Sequence, residues 1–220
     1  MRLPFTTAQF FDVIQSYNEA VWPSQLALGA AGVCALVLAC VDKRWASQVG
    51  WSILALLWAW IAVTYQFAFF AQINPAAYAF GVLFLLGALA FLWFGAVRGA
   101  SVFRLQRDAR TVLGLALVLY ALVAYPIWSS LSGHAYPHLP TFGLPCPTTI
   151  FTVGMLALAR GRVARWVFVA PIAWCAIGVQ AAFLLDVAPD LGLGVAGLVA
   201  ILLAIRPDAW PPPQRADTGH

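Results

Sequence analysis

At 220 residues, 63% hydrophobic and 9% charged, the chain carries too little polar surface to cover a soluble domain and is read as an integral membrane protein. Its formal net charge of +4 is spread over several short loops and forms no single patch, so nucleic acid is excluded as a partner.

The first 21 residues predict a short amphipathic helix. Thr6 and Gln9 have the spacing of a capping box, and Phe5 and Phe10 that of a hydrophobic staple. Phe10, Val13, Ile14, Tyr17 and Val21 recur at the helical period. The helix is expected to lie on the outer membrane face and to stop before Pro23, which cannot continue it. Its polar stripe of Gln15, Asn18 and Glu19 meets lipid headgroups or faces an outer vestibule. A cleavable signal would need a basic region directly before an apolar core, and here mixed residues intervene.

Apolar runs follow at Trp22 to Val41, Val49 to Phe70, Ala76 to Val97, Val112 to Leu131, Phe142 to Ala159, Trp166 to Leu185 and Val187 to Ile205. Each is close to the ~20 residues with which a helix crosses ~30 Å of hydrocarbon. The expected fold is therefore all-α: one seven-helix transmembrane domain over residues 22–205, after an outer interfacial helix over residues 1–21. The proline-rich residues 206–220 read as a disordered cytoplasmic tail.

The basic residues sort by gap. Lys43 and Arg44 fall in one; Arg98, Arg104, Arg107 and Arg110 in a second; Arg160, Arg162 and Arg165 in a third; Arg206 and Arg215 follow the last run. Of the 12 Lys and Arg, only Arg2 belongs to the opposite set of gaps. The positive-inside rule then puts the N-terminus outside and the C-terminus in the cytoplasm, and Trp22, Trp45, Trp51, Trp93, Trp128 and Trp166 stand near run ends as interfacial anchors. Cys34 and Cys175 are placed mid-membrane, Cys40 near the cytoplasmic end of the first run and Cys146 in the outer mouth. Cys146 has no second outer cysteine to pair with, and no CxxC spacing occurs.

The second and sixth runs are similar to each other. They align Trp60 with Trp174, Gln66 with Gln180 and Pro75 with Pro189, and Pro23 and Pro147 open the first and fifth runs. The pattern suggests a parallel repeat of three helices, one linker helix and three helices, as in secondary transporters whose site forms between the halves. In topology this plan is similar to that of the seven-helix sugar transporters, without their sequence motifs. Gln66 and Gln180 need partners in hydrocarbon. They either line a pocket with Trp60 and Trp174 or glue helices together.

The longest outer connection, residues 132–149, holds His134, His138, Cys146, Thr148 and Thr149 among prolines that forbid a continuous helix. The fifth element is expected to be broken, with residues 142–147 entering the membrane and a helix beginning below the surface. Such a buried helix start would offer free N–H groups to an anion and favour the Cys146 thiolate.

Three stretches carry a resemblance: Leu3-Pro4-Phe5-Thr6 to Trp22-Pro23; Ile73-Asn74-Pro75-Ala76-Ala77-Tyr78; and Gly133-His134 with Tyr136-Pro137 through Pro140-Thr141-Phe142-Gly143, Pro145-Cys146-Pro147-Thr148-Thr149 and Ile150-Phe151-Thr152. The chain up to about Ile205 resembles an uncharacterised family of bacterial multi-pass inner-membrane proteins. That resemblance implies an inner-membrane location and no established activity, so it assigns no functional residue.

The expected function is a transporter or sensor of a small molecule or ion with an outward-facing pocket. Gln66, Gln180, Trp60, Trp174, Asn74, Thr148 and Thr149 would form it. A metal or haem site made by His134, His138 and Cys146, with Asp186 or Asp190 from the last outer loop, is an alternative, since these are soft and borderline donors. A second alternative is a non-catalytic accessory subunit of a membrane complex. A Cys–His nucleophile pair lacks an identifiable orienting carboxylate or oxyanion hole, so an enzyme is the less favoured class. The expected partners are the lipid bilayer and a small solute or ion; partner chains or a homo-oligomer stay open, and no cofactor is specified. No P-loop is present, so any transport would be passive, ion-coupled or dependent on a partner chain.

Overall fold

The computed structural model describes residues 4–205; the expected tail lies outside them. The first helix, α1 (Thr7–Val21), begins where the sequence expects. The Thr6 side chain accepts from the Gln9 backbone N–H at 3.2 Å and the Gln9 side chain accepts from the Thr6 N–H at 2.8 Å. The Phe5 and Phe10 rings stack with centroids 6.2 Å apart. At Pro23 the chain turns through 87° into α2 (Ser24–Ala39). Helix α1 is packed into the bundle: Phe11, Ile14 and Tyr17 are buried against Tyr65, Phe70, Leu144 and Leu185.

Helix α3 (Arg44–Trp60) continues through wider π turns over Ile61–Phe67 and a 3-10 turn over Phe70–Gln72. Helix α4 (Ala77–Ala90) likewise continues as π turns over Phe91–Val97. These two pack antiparallel, an aromatic of one against a glycine of the other. A Cβ at Gly81, Gly87 or Gly95 would lie 2.1, 2.4 or 2.2 Å from the rings of Phe67, Trp58 and Trp51 respectively. In lipid such close fitting supplies dispersion energy that burial from water would supply elsewhere.

After the short strand β1 (Ser101–Phe103) comes α5 (Ala109–Leu119), whose N-cap Asp108 accepts from the Thr111 N–H at 2.7 Å. A π turn over Tyr120–Ala124 joins it to α6 (Tyr125–Leu131). Pro126 has no N–H for the helical ladder, a local reason for the widened turn before it. Helix α7 (Pro145–Leu158) is followed at once by strand β2 (Ala159–Gly161), antiparallel to β1 with Val102 opposite Arg160. The chain ends in α8 (Trp166–Gly178), the one-turn α9 (Ala181–Leu184), a 3-10 turn over Ala188–Asp190, and α10 (Leu191–Ile205).

Among the described residues, five helices are long and apolar enough to cross a membrane: Arg44–Gln72, Ala77–Val97, Ala109–Leu131, Trp166–Leu184 and Ala188–Ile205. Counting the bent α1–α2 pair as one span makes up to six. The protein is thus a helical multi-pass membrane protein. The fifth expected run differs from the rest. Helix α7 has 14 residues, about 21 Å at 1.5 Å per residue, against ~30 Å of hydrocarbon. Every residue of α7 except Cys146 is buried, so it is a central rod enclosed by protein. Its closest neighbour is α5, where a Cβ on Gly114 would stand 2.8 Å from the Gly154 carbonyl oxygen, and one on Gly154 2.8 Å from that of Gly114.

The gaps rich in arginine meet at one end of the bundle. Arg104 pairs with Asp42 at 2.6 Å, and the Ser47 hydroxyl accepts from the Phe103 N–H at 2.9 Å. Arg110 donates to the carbonyls of Leu156 and Ala159 at 3.3 and 2.7 Å, supplying donors where α7 runs out of its own. Arg160 donates to Asp108 at 3.1 Å, to Thr111 Oγ1 at 2.9 Å and to the Ala157 carbonyl at 2.6 Å. Burial lowers the Arg160 guanidinium from its ordinary value, an effect the Asp108 charge opposes. Several of the basic residues therefore close the arginine end as well as marking it.

Candidate functional site

At the opposite end a cavity of about 240 Å³ opens among α1, the end of α3, the start of α7, the α8–α9 break and the start of α10. Its walls are aromatic, with Phe10, Tyr65, Phe70, Phe80 and Trp174 on different elements. Phe5 and Phe10 are held over it by the cap and staple of α1, and each ring packs edge-on against Phe70, with centroids 5.5 and 6.2 Å apart.

The polar groups of the cavity gather around Asp190, which is 1% exposed. Its Oδ1 accepts from the Tyr125 hydroxyl at 2.6 Å, and Tyr120 donates to the neighbouring Pro189 carbonyl at 2.7 Å. The widened turn between Tyr120 and Tyr125 lets residues five apart reach the same partner segment, which a regular helix would point to different faces. The Cys146 thiol lies beside the Asp190 carboxyl and the Trp174 indole. Trp174 Nε1 is buried with no oxygen or nitrogen partner among the described residues. Among the described residues, no Lys, Arg or His lines the cavity.

The residues singled out by sequence are distributed unevenly. Trp174, Gln180 and Asn74 line the cavity, joined by Cys146. Gln180 is exposed and its amide donates to the Ala176 carbonyl at 3.2 Å, while the Asn74 side chain accepts from the Ala76 N–H at 3.1 Å. Trp60 lies outside the lining and donates to the Tyr17 hydroxyl at 2.8 Å. Gln66 is fully buried outside it, with neither amide atom partnered among the described residues. Thr148 accepts from the Gly143 N–H at 3.0 Å, fixing the entry into α7, and Thr149 Oγ1 is buried without a partner among the described residues. Gly143 itself has φ +102°, a conformation suited to glycine, and a Cβ there would lie 2.5 Å from Leu28 Cδ1.

The proposed metal ligands do not assemble. Among the described residues, no group of three His, Cys, Asp or Glu side chains could hold a metal ion. His134 stacks flat on Phe11 with ring centroids 4.0 Å apart. Asp186 is exposed in the left-handed region at φ 58°, where a short polar side chain suits a tight turn. Two further expectations need correction. Asn18 does not face a vestibule: fully buried, it donates to the Pro137 and Leu139 carbonyls at 2.6 and 2.8 Å and accepts from Thr141 at 2.8 Å, tying the long connection to α1. Nor does α7 offer a free N-terminal turn to an anion. Prolines occupy two of its first three positions and carry no N–H, and the Asp190 carboxyl stands beside Cys146.

Asp190 and Tyr125 are the residues that sequence reading passed over or misplaced. Asp190 was assigned to a loop, yet it is the only Asp, Glu, Lys, Arg or His within the seven apolar runs. An ionisable residue inside such a run is itself a signal of function.

Residues 7–211 match the model of a family of unknown function, DUF6064. The chain belongs to the DUF6064 family. This is an uncharacterised family, and the helices place its member here among multi-pass membrane proteins. Neither the comparison with curated proteins nor that with solved structures gives a match. The cavity of this DUF6064 protein must therefore be interpreted from its own chemistry.

Proposed function

We propose that this DUF6064 protein is a bacterial inner-membrane transporter or sensor that takes a small solute into an outward-facing cavity. The observation that carries this reading is the aromatic cavity around Asp190, open at one end of the bundle and floored by a buried polar cluster. The Asp190 carboxyl, held by a single hydroxyl at the cavity wall, keeps acceptor positions free for an occupant. The orientation is N-terminus outside and C-terminus cytoplasmic, with seven passages between the two ends. It is supported by the meeting of the arginine-rich gaps at the end opposite the cavity, together with the positive-inside rule. The central α7, too short to cross alone and enclosed by protein except at Cys146, is the kind of interrupted element found at transporter sites.

Cys146 supplies the test. A membrane-impermeant thiol reagent is applied to right-side-out and to inverted membrane vesicles, with Cys34, Cys40 and Cys175 replaced by serine or alanine. Labelling of Cys146 from the outside is expected. Additional labelling from the cytoplasmic side would mark alternating access and hence a transporter, whereas labelling from the outside alone fits a sensor. Protection of Cys146 from both sides would overturn the outward-facing cavity and favour an accessory subunit.

A further inference from the structure

The lining of the cavity points to a chemical class of occupant. Resting on the proposal that the cavity is a solute site, we infer that its ligand is a small organic cation, an ammonium group attached to an apolar or aromatic body. Four features of the molecule converge on this class. The cavity contains a carboxyl, that of Asp190, and no cationic side chain among the described residues. An ammonium would therefore meet a carboxyl that can accept from it and, once ionised, balance its charge, and an anion would meet no cationic partner among these residues. Aromatic side chains line the walls, Tyr65, Phe70, Phe80 and Trp174 among them, and a cation held against an aromatic face gains from its quadrupole once water is removed.

The third feature is the way the carboxyl is held. Tyr125 donates to Oδ1 at 2.6 Å, so Asp190 is oriented by a hydroxyl that cannot neutralise it as an arginine would. The remaining acceptor positions of the carboxyl are left for whatever enters. The backbone supports the same geometry, because Asp190 lies in the 3-10 turn Ala188–Asp190 directly before α10 and Tyr120 pins that turn through the Pro189 carbonyl. Fourth, Trp174 Nε1 is buried at the cavity wall without an oxygen or nitrogen partner among the described residues, although Trp174 is only 6% exposed. That N–H suits an acceptor on the ligand, such as a hydroxyl or carbonyl beyond the ammonium group. The cavity volume, about 240 Å³, is below the ~300–1,000 Å³ of sites for drug-sized molecules, which limits the occupant to a compact one.

The experiment uses the full-length protein purified in detergent or nanodiscs, with benzylamine as the probe and benzyl alcohol and benzoate as its neutral and anionic counterparts of similar shape. Binding is read by calorimetry and by thermal stabilisation, since a ligand that binds only the folded state raises apparent stability according to its affinity. Benzylamine is expected to bind, with the alcohol and the benzoate at least about tenfold weaker, the scale of a charge-assisted hydrogen bond. Asp190→Asn should abolish that preference and Asp190→Glu should retain it. Where Asp190→Asn does not fold, the comparison of the three probes on the unsubstituted protein and on Asp190→Glu decides. Equal binding of alcohol and amine, or retention of the amine preference in a folded Asp190→Asn, would overturn the cation assignment while leaving the cavity as a solute site. Benzoate binding best would also overturn it. No binding of any probe, together with protection of Cys146 from impermeant reagent on both sides, would overturn both; no binding with Cys146 labelled from outside would overturn the cation assignment alone.

Discussion

Two buried polar residues show how differently one chemistry is used in this chain. Arg110 is 8% exposed and gives two hydrogen bonds to the final carbonyls of α7. Hydrogen bonds involving a charged group contribute about 1.5–3 kcal/mol. Arg110→Met should therefore lower stability by about 2–3 kcal/mol, measured as a fall in the thermal midpoint in detergent, with the cavity and its ligand affinity unaffected. Gln66 is the reverse case, fully buried with both amide atoms unpartnered among the described residues. Replacing an unsatisfied buried amide with an apolar group of similar size removes a desolvation cost of about 1–3 kcal/mol. Gln66→Leu is expected to raise the thermal midpoint and to leave solute binding intact. A fall in the midpoint would show that the amide has a partner in the membrane. Tyr125→Phe should cost about 0.6–2 kcal/mol, the range for hydrogen bonds between membrane helices, and should loosen the hold on Asp190.

At the scale of elements, α7 depends on its contact with α5. The Gly114 and Gly154 backbones approach so closely that a methyl group on either would press on the other's carbonyl oxygen. Gly154→Ala must push the helices apart, and overpacking of this kind costs about 1–3 kcal/mol. Gly29 on α2 has nothing within 4 Å of its Cβ position, so Gly29→Ala should be neutral or slightly stabilising. A thermal-unfolding comparison of the two checks the crossing directly, and equal effects would contradict it. The same level shows what sequence could and could not read. The start of α1 was legible because a capping box is local: Thr6 and Gln9 are three residues apart and carry their own partners. The long helices were legible because an apolar run of that length reports its own span. The enclosure of α7 was not legible, because apolarity on every face marks contact with lipid and contact with protein alike. The pairing of β1 with β2 was also hidden, since Ser101 and Gly161 meet only once α5 and α7 have packed.

For the whole molecule, the separation of an arginine end from an aromatic cavity end is the organising feature. A reporter that is active only in the cytoplasm, fused after the last helix, should be active, and the same reporter inserted at Ser132 should be inactive; the opposite pattern would reverse the assigned orientation. The chain's own residues determined that it is a multi-pass membrane protein and where its long apolar helices run, because hydropathy and helical period are properties of contiguous sequence. The tertiary structure alone decided that Trp174 and Gln180 line the cavity while Trp60 and Gln66 do not, that Arg110 caps α7, and that Asp190 meets Tyr125 and Cys146. Those outcomes depend on which faces of distant helices come together. Two helices similar in sequence, such as those around Trp60 and Trp174, can therefore serve different partners: one indole donates to Tyr17 of α1, the other lines the cavity beside Cys146.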